Sequence, residues 1–177
     1  MIKTKITEMD RLTPDEFKAK DKIPVVVVLD NVRSLHNVGS IFRTCDAFLF
    51  EAIYLCGITA TPPNAEIHKS ALGAEDTVDW THFVDTHEAV DQLKAAGYKV
   101  FAVEQAHGST LLPDMQVDVH EKYAIILGNE VKGVQQSVVD RCDACIEIPQ
   151  YGTKHSLNVS ISGGIVIWEF FKGFVKE

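Results

Sequence analysis

The chain has 177 residues, 46% of them hydrophobic and 24% charged, with a formal net charge of −8. That length is enough for one domain with its own apolar core, without disulfide or metal staples. The composition excludes a disordered, collagen-like or disulfide-rich chain, and the acid excess argues against a nucleic-acid binder that works through a uniformly basic surface.

Residues 1–22 mix both signs of charge and form a short lead-in to a main unit at residues 23–177. In the lead-in, Thr13-Pro14-Asp15-Glu16 predicts a helix start, with Thr13 as cap and Pro14 at the first helical position. No basic-then-apolar leader opens the chain, so the expected location is the cytoplasm. Residues 25–29 are apolar throughout and mostly β-branched, which suits a strand buried on both faces of a parallel sheet. A helix is expected after Asn37, where Val38, Ile41, Phe42, Cys45, Phe48 and Leu49 recur at helical spacing. On that spacing Arg43 and Gly39 lie on the face opposite the apolar stripe.

A strand at 52–55 follows, then a turn at Thr61-Pro62-Pro63 and a helix capped by Asn64 and running to about Ala71. Residues 78–83 predict a strand, 86–96 a helix closed by Gly97, and 99–103 another strand. The segment 105–121 has no clean period and reads as loop. Beyond it come a buried strand at 123–127, a short helix at 134–141, a strand at 145–148 and a last helix at 156–174. Alternating strands and helices predict an α/β fold with a mostly parallel sheet flanked by helices. The apolar stretch at 165–171 is interrupted by Glu169 and too short to span a membrane.

The four cysteines, Cys45, Cys56, Cys142 and Cys145, are expected as reduced thiols. Cys142 and Cys145 form a lone C-x-x-C with no second ligand pair, so no metal site is predicted. Between Glu75 and Asp91 stand six acids and no Lys or Arg. If the protein binds RNA, that stretch must point away from it.

Three polar, glycine-containing clusters follow predicted strands: NVRSLHNVGSIFRT at 31–44, LGNEVKG at 127–133, and IPQYG at 148–152 with SLNVS at 156–160. The carboxyl ends of strands are where open α/β sheets bind ligands. Gly128 and Gly133 have P-loop spacing, but Val134-Gln135 stands where Lys and Ser/Thr are required, so nucleoside triphosphate binding is not expected. The histidines are scattered; only His36 and His155 border the clusters, as candidate RNA contacts. The dense polar groups of the third cluster, just ahead of an apolar helix, fit either a helix cap or the wall of a ligand pocket.

These three motifs, in this order and over roughly residues 23–175, resemble the SpoU (TrmH-like) family of RNA ribose 2′-O-methyltransferases, of the SPOUT class. The resemblance implies a C-terminal trefoil knot, which pattern rules alone would not suggest. It implies S-adenosylmethionine as cofactor, RNA as partner (tRNA favoured over rRNA, for a nearly bare catalytic domain), and a homodimer through the last helix. Ile161, Ile165, Ile167, Trp168, Phe170, Phe171 and Phe174 make that helix apolar on nearly every side, as a dimer seam would require.

By the same resemblance, Arg43 is the catalytic arginine and Asn37 helps place the ribose or phosphate. Glu130 is the acid after the knot glycine, and Ser156 and Asn158 shape the pocket and hold the arginine. Val103, Leu127, Gly128, Gly133, Ile148 and Leu157 would hold the cofactor. The family arginine is often assigned as the base, but a guanidinium with a pKa above ~12 is poorly suited to that task. A fork that fixes the neighbouring phosphate and stabilises charge on the oxygen is the better expectation. The sequence departs from the family at Ser162-Gly163-Gly164, where alanines are common; looser helix or closer packing could follow. Two other readings stay open: a knotted RNA-binding protein without methyl transfer, and a SPOUT base methyltransferase.

Overall fold

Strand β1 (Ile23–Asp30) forms at the valine run, and every residue from Val25 to Asp30 is buried. The computed structural model describes residues 1–175. Ahead of β1, α1 (Pro14–Ala19) opens with a capping box in which Thr13 and Glu16 satisfy each other's backbone N–H groups. After β1 come α2 (Leu35–Ala47), β2 (Phe50–Cys56), α3 (Ala65–Ala71), α4 (Ala74–Thr77), β3 (Asp79–Phe83), α5 (Thr86–Ala95) and β4 (Tyr98–Val103). The rest comprises β5 (Thr110–Leu111), β6 (Lys122–Leu127), α6 (Gln136–Val139), β7 (Ala144–Glu147) and α7 (Val159–Phe174).

The strands form one sheet in the order β3-β2-β1-β6-β4-β7-β5, and every pairing is parallel. A parallel sheet has to be covered on both faces, and the two faces of β1 show how. Val25, Val27 and Leu29 pack with Phe17, Ile41, Phe42, Ile67, Val166 and Phe170 from α1, α2, α3 and α7. Val26 and Val28 pack on the other face with Ala89, Val90, Leu93 and Val138 from α5 and α6. The stretch with six acids runs through α4, the edge strand β3 and then α5, which crosses back to α6, where Asp91 pairs with Arg141.

The elements follow the sequence pattern, with differences that bear on function. Helix α2 begins two residues before Asn37, because Ser34 is the cap and accepts from the Asn37 N–H at 3.3 Å. Asn37 is therefore buried in the first turn rather than outside the helix. Gly39 does not share the exposed face of Arg43. It lies against α3, where a methyl group would come within 2.2 Å of Ser70 Oγ and 2.3 Å of the Ile67 carbonyl. The helix thus has a second buried side, which an amphipathic count of large residues misses.

Helix α7 starts at Val159, with Asn158 as cap, so Ser156 and Leu157 lie in the extended segment before it. Gly163 provides the closer packing: a methyl there would sit 2.4 Å from Ile41 Cδ1 and 2.9 Å from Leu127 Cδ1. Gly164 faces open space. The segment 105–121 is mostly loop but adds β5 and one 3-10 turn at Leu112–Asp114. Among the described residues no helix is long and apolar enough to cross a membrane.

Candidate active site

Four loops leave the carboxyl ends of four adjacent strands, β1, β6, β4 and β7. β1 pairs with its successor β2 on one side and with the much later β6 on the other, so the strand order reverses there. Such a switch point opens a crevice in a parallel sheet. Two of the three sequence motifs flank that crevice, and the third follows β7.

The loop after β6 is tied down along its length. Asn129 and Gly133 exchange backbone hydrogen bonds at 3.0 and 2.8 Å. The Asn129 side chain accepts from the N–H groups of Val131 and Lys132 and donates to the Asn31 carbonyl at 2.7 Å. Gly128 must be glycine here, since a Cβ would lie 2.1 Å from the backbone of Gly133 and Val134. Gly133 has φ 67°, and a side chain there would collide with the Glu104 carboxylate, which accepts from the Val134 N–H at 3.1 Å. The wholly buried Asp30 closes the loop. Its carboxylate accepts from Thr86 Oγ1 at 2.6 Å, Asn31 Nδ2 at 2.8 Å, Gln135 Nε2 at 2.9 Å and the Gln135 N–H at 3.0 Å. Asp30, Glu104 and Asn129 are absent from the sequence-based set of site residues. Their signal was a polar residue directly abutting, or one step beyond, a buried strand.

Glu130 reaches back across the crevice to the start of α2. It accepts from the Arg33 N–H at 3.0 Å, the Ser34 N–H at 2.9 Å and Asn37 Nδ2 at 3.1 Å. Burial opposes its ionisation, but the Arg33 and Ser34 amides and Asn37 outweigh it and hold the carboxyl below its usual range. The carboxylate then orients the amides in turn. Because Glu130 only accepts, the Asn37 nitrogen faces it and the Asn37 oxygen faces Asn158, which donates from Nδ2 at 3.2 Å. The Asn158 oxygen is left to cap α7, accepting from the Ser160 N–H at 2.9 Å and the Ile161 N–H at 3.4 Å. One side chain is both helix cap and site wall. The chain Asn158–Asn37–Glu130 therefore joins all three motifs.

Arg43 is exposed on α2, two turns beyond Asn37's end of the helix, and makes no hydrogen bond or ion pair among the described residues. Neither Ser156 nor Asn158 holds it; Asn158 is engaged by Asn37 instead. Ser156 is exposed beside Leu157 on the third loop. Val103, Leu127, Gly128 and Ile148 line the strand ends as half-buried or buried positions. Across residues 31–43, 104–109, 128–135 and 148–158 the exposed cations are Arg33, Arg43, Lys132 and Lys154. The acids there, Glu104 and Glu130, both turn to backbone N–H groups. This rim is basic although the chain is acidic.

The other thiols and clefts lie apart from this crevice or are unsuited to chemistry. Burial pushes the Cys142 thiol up to about 12 and raises Cys145, leaving poor nucleophiles and ligands. No metal-ligand cluster of three or more His, Cys, Asp or Glu occurs among the described residues. One surface cleft lies between Met115–His120 and the end of α7, and another beside Pro62, His68, Glu75 and Trp80; neither includes a residue of the three motifs.

A parallel α/β sheet whose polar loops are cross-linked at its topological switch point defines a ligand-binding α/β protein with a preorganised strand-end site. The SpoU rRNA Methylase family model matches residues 24–168, and the chain belongs to that family. It is 32% identical over 155 residues to a Staphylococcus haemolyticus protein assigned to the TrmH family of tRNA/rRNA methyltransferases; the match covers 88% of this chain and 61% of that protein. It therefore spans about three fifths of that relative's length. Among solved structures, the A. aeolicus TrmH/SpoU tRNA modifying enzyme superposes with a TM-score of 0.79 at 26% identity, covering 90% of this chain and 81% of that one. The AdoMet-bound rRNA methyltransferase of Sinorhizobium meliloti gives a TM-score of 0.80 at 27% identity, covering 94% and 62%.

Proposed function

We propose that the chain is an S-adenosylmethionine-dependent RNA methyltransferase that modifies a ribose 2′-hydroxyl, with tRNA preferred to rRNA. The observation that carries this reading is the Asn158–Asn37–Glu130 chain. It locks three motif loops together on the helix that presents an uncommitted Arg43. The preference for tRNA rests on the A. aeolicus tRNA enzyme being matched over 81% of its length, against 62% for the S. meliloti rRNA enzyme. An RNA substrate also fits the basic rim and a cytoplasmic location.

The residues present fit the cofactor. Val103, Leu127 and Ile148 offer an apolar edge at three strand ends, while Gly128, Gly133 and Leu157 bring backbone close without bulky polar side chains. S-adenosylmethionine, when bound, supplies an electrophilic methyl group on a sulfonium. The chain's own task is then orientation, worth roughly 7–11 kcal/mol for a well-aligned pair. Arg43 holds the phosphate beside the target ribose in its planar fork and stabilises charge growing on the 2′-oxygen. Asn37, immobilised between Glu130 and Asn158, positions the ribose with the second N–H of its amide. Ser156 shapes the open side of the pocket. Phosphate or water takes the proton, since a guanidinium is a poor base.

The trefoil threading and the homodimer belong to the same reading. β6 and β7 both follow β4 in sequence and pair on its two sides, an order compatible with a threaded chain. Ile161, Ile165 and Trp168 form a stripe on α7 that is 56%, 39% and 50% exposed, the expected seam. Residues 1–22 act as a lead-in to the methyltransferase unit at 23–177.

The test is Arg43→Ala, assayed for methyl transfer to unmodified tRNA and for S-adenosylmethionine affinity by calorimetry. Turnover should fall about 10²–10³-fold, as for loss of a charge-stabilising donor, with cofactor affinity unchanged. Loss of cofactor binding itself would overturn the assignment. A wild-type chain that binds RNA but no cofactor would instead be a binding protein, and label recovered on a base would make it a base methyltransferase.

A further inference from the structure

Tyr151 is 95% exposed, the most exposed aromatic side chain among the described residues. It stands on a loop that is otherwise anchored. Gln105 Nε2 donates to the His155 carbonyl at 2.8 Å, and Asn158 binds Asn37 at 3.2 Å. The ring contributes nothing to the core, and its neighbour Gly152 has nothing within 4 Å of where a side chain would point. Lys154 is an exposed cation on the same loop, and Arg33 and Lys132 are exposed on the two motif segments that Glu130 ties together. Of the acids on the neighbouring segments, Glu104 and Glu130 accept from backbone N–H groups, and Glu147, four residues before Tyr151, accepts from Ser109 Oγ.

An exposed aromatic ring beside cations is what a single-stranded nucleic acid recognises. Every base has a π-face to stack on it, and the phosphates find the charges. Reaction at a ribose inside the crevice also requires a nucleotide withdrawn from its helix, which leaves a neighbouring base in need of a new stacking surface. We infer that Tyr151 is that surface: it stacks on an unpaired base flanking the methylated nucleotide and sets the position of the RNA over Arg43. This rests on the proposed RNA methyltransferase reading. The competing occupant of the ring is a second copy of the chain.

The experiment compares wild type, Tyr151→Ala, Tyr151→Trp and Lys154→Ala. Their affinities for a fluorescein-labelled unmodified tRNA transcript and for a short single-stranded oligoribonucleotide are measured over a salt series. Cofactor affinity and sedimentation are measured in parallel. Tyr151→Ala should weaken RNA binding ~5–150-fold, with cofactor affinity, mass and salt slope unchanged, and Tyr151→Trp should keep wild-type affinity. Lys154→Ala should instead reduce the salt slope by about one. If Tyr151→Ala binds RNA as wild type does, or if it changes the oligomeric state, the stacking assignment is overturned while the methyltransferase reading stands. If the wild type neither binds nor methylates RNA, that reading falls and the stacking assignment falls with it.

Discussion

Asn158 serves two neighbours with one amide, and its two halves can be separated by mutation. Its oxygen caps α7, and its nitrogen donates to Asn37. Asp is as good a cap as Asn, so Asn158→Asp should leave thermal stability nearly unchanged. It removes the donor, however, and places carboxylate oxygen against the Asn37 carbonyl oxygen. Methyl transfer should fall at least ~10-fold, the loss of one modest hydrogen bond in the transition state. Asn158→Ala should lose the same activity and about 1 kcal/mol of stability besides. Thermal melts and single-turnover assays on both variants check this; an Asp variant with wild-type turnover would reduce Asn158 to a helix cap. At this scale the site was only half legible. The motif residues Asn37, Glu130 and Asn158 stand out in the sequence because they are polar beside buried runs. That they bind one another is a fact of the fold, since 121 and 93 positions separate them.

The helices show the same limit in their glycines. Gly39 and Gly164 each sit inside a helix, where glycine costs about 1 kcal/mol relative to alanine. Their surroundings are opposite. A methyl at Gly39 would strike Ser70 Oγ and the Ile67 backbone carbonyl, while one at Gly164 would meet nothing within 4 Å. Gly39→Ala should therefore destabilise the chain by about 1–3 kcal/mol by forcing α3 off α2. Gly164→Ala should stabilise the single chain by up to about 1 kcal/mol. Urea denaturation of the two variants gives the comparison, and equal effects would show that α2 and α3 do not pack as closely as described. Helix periodicity located α2 well, yet it placed Gly39 on the open side, because a hydrophobic pattern registers large side chains and not the absence of one.

On the molecular scale, the apolar residues of α7 divide between two partners. Val166, Ile167 and Phe170 are buried within the chain, whereas Ile161, Ile165 and Trp168 remain substantially exposed one or two helical turns apart. Phe48 and Phe171 join Trp168 in an aromatic cluster at the rim, with ring centroids 4.7–5.7 Å apart. A second copy of the chain is the proposed cover. Trp168→Glu should halve the sedimenting mass without unfolding the sheet, because the residue is half exposed in the single chain. An unchanged mass would overturn α7 as the proposed dimer seam. The charges are not segregated by edge: Asp91 in the acid-rich stretch pairs with Arg141 beyond α6, and the cations Arg33, Arg43, Lys132 and Lys154 lie on the motif-bearing segments.

From sequence alone came the alternation of strands and helices, the burial of the 25–29 run on both faces, and the three motifs at strand ends. These are local properties, set by side-chain periodicity and by turn and cap chemistry within a few residues. Strand order, the bracing role of Asp30, the course of α2 against α3 and the link from Glu130 through Asn37 to Asn158 arose only in the tertiary structure. Each depends on which distant backbone donors lie within hydrogen-bond reach once the chain is folded, a quantity that no local pattern encodes.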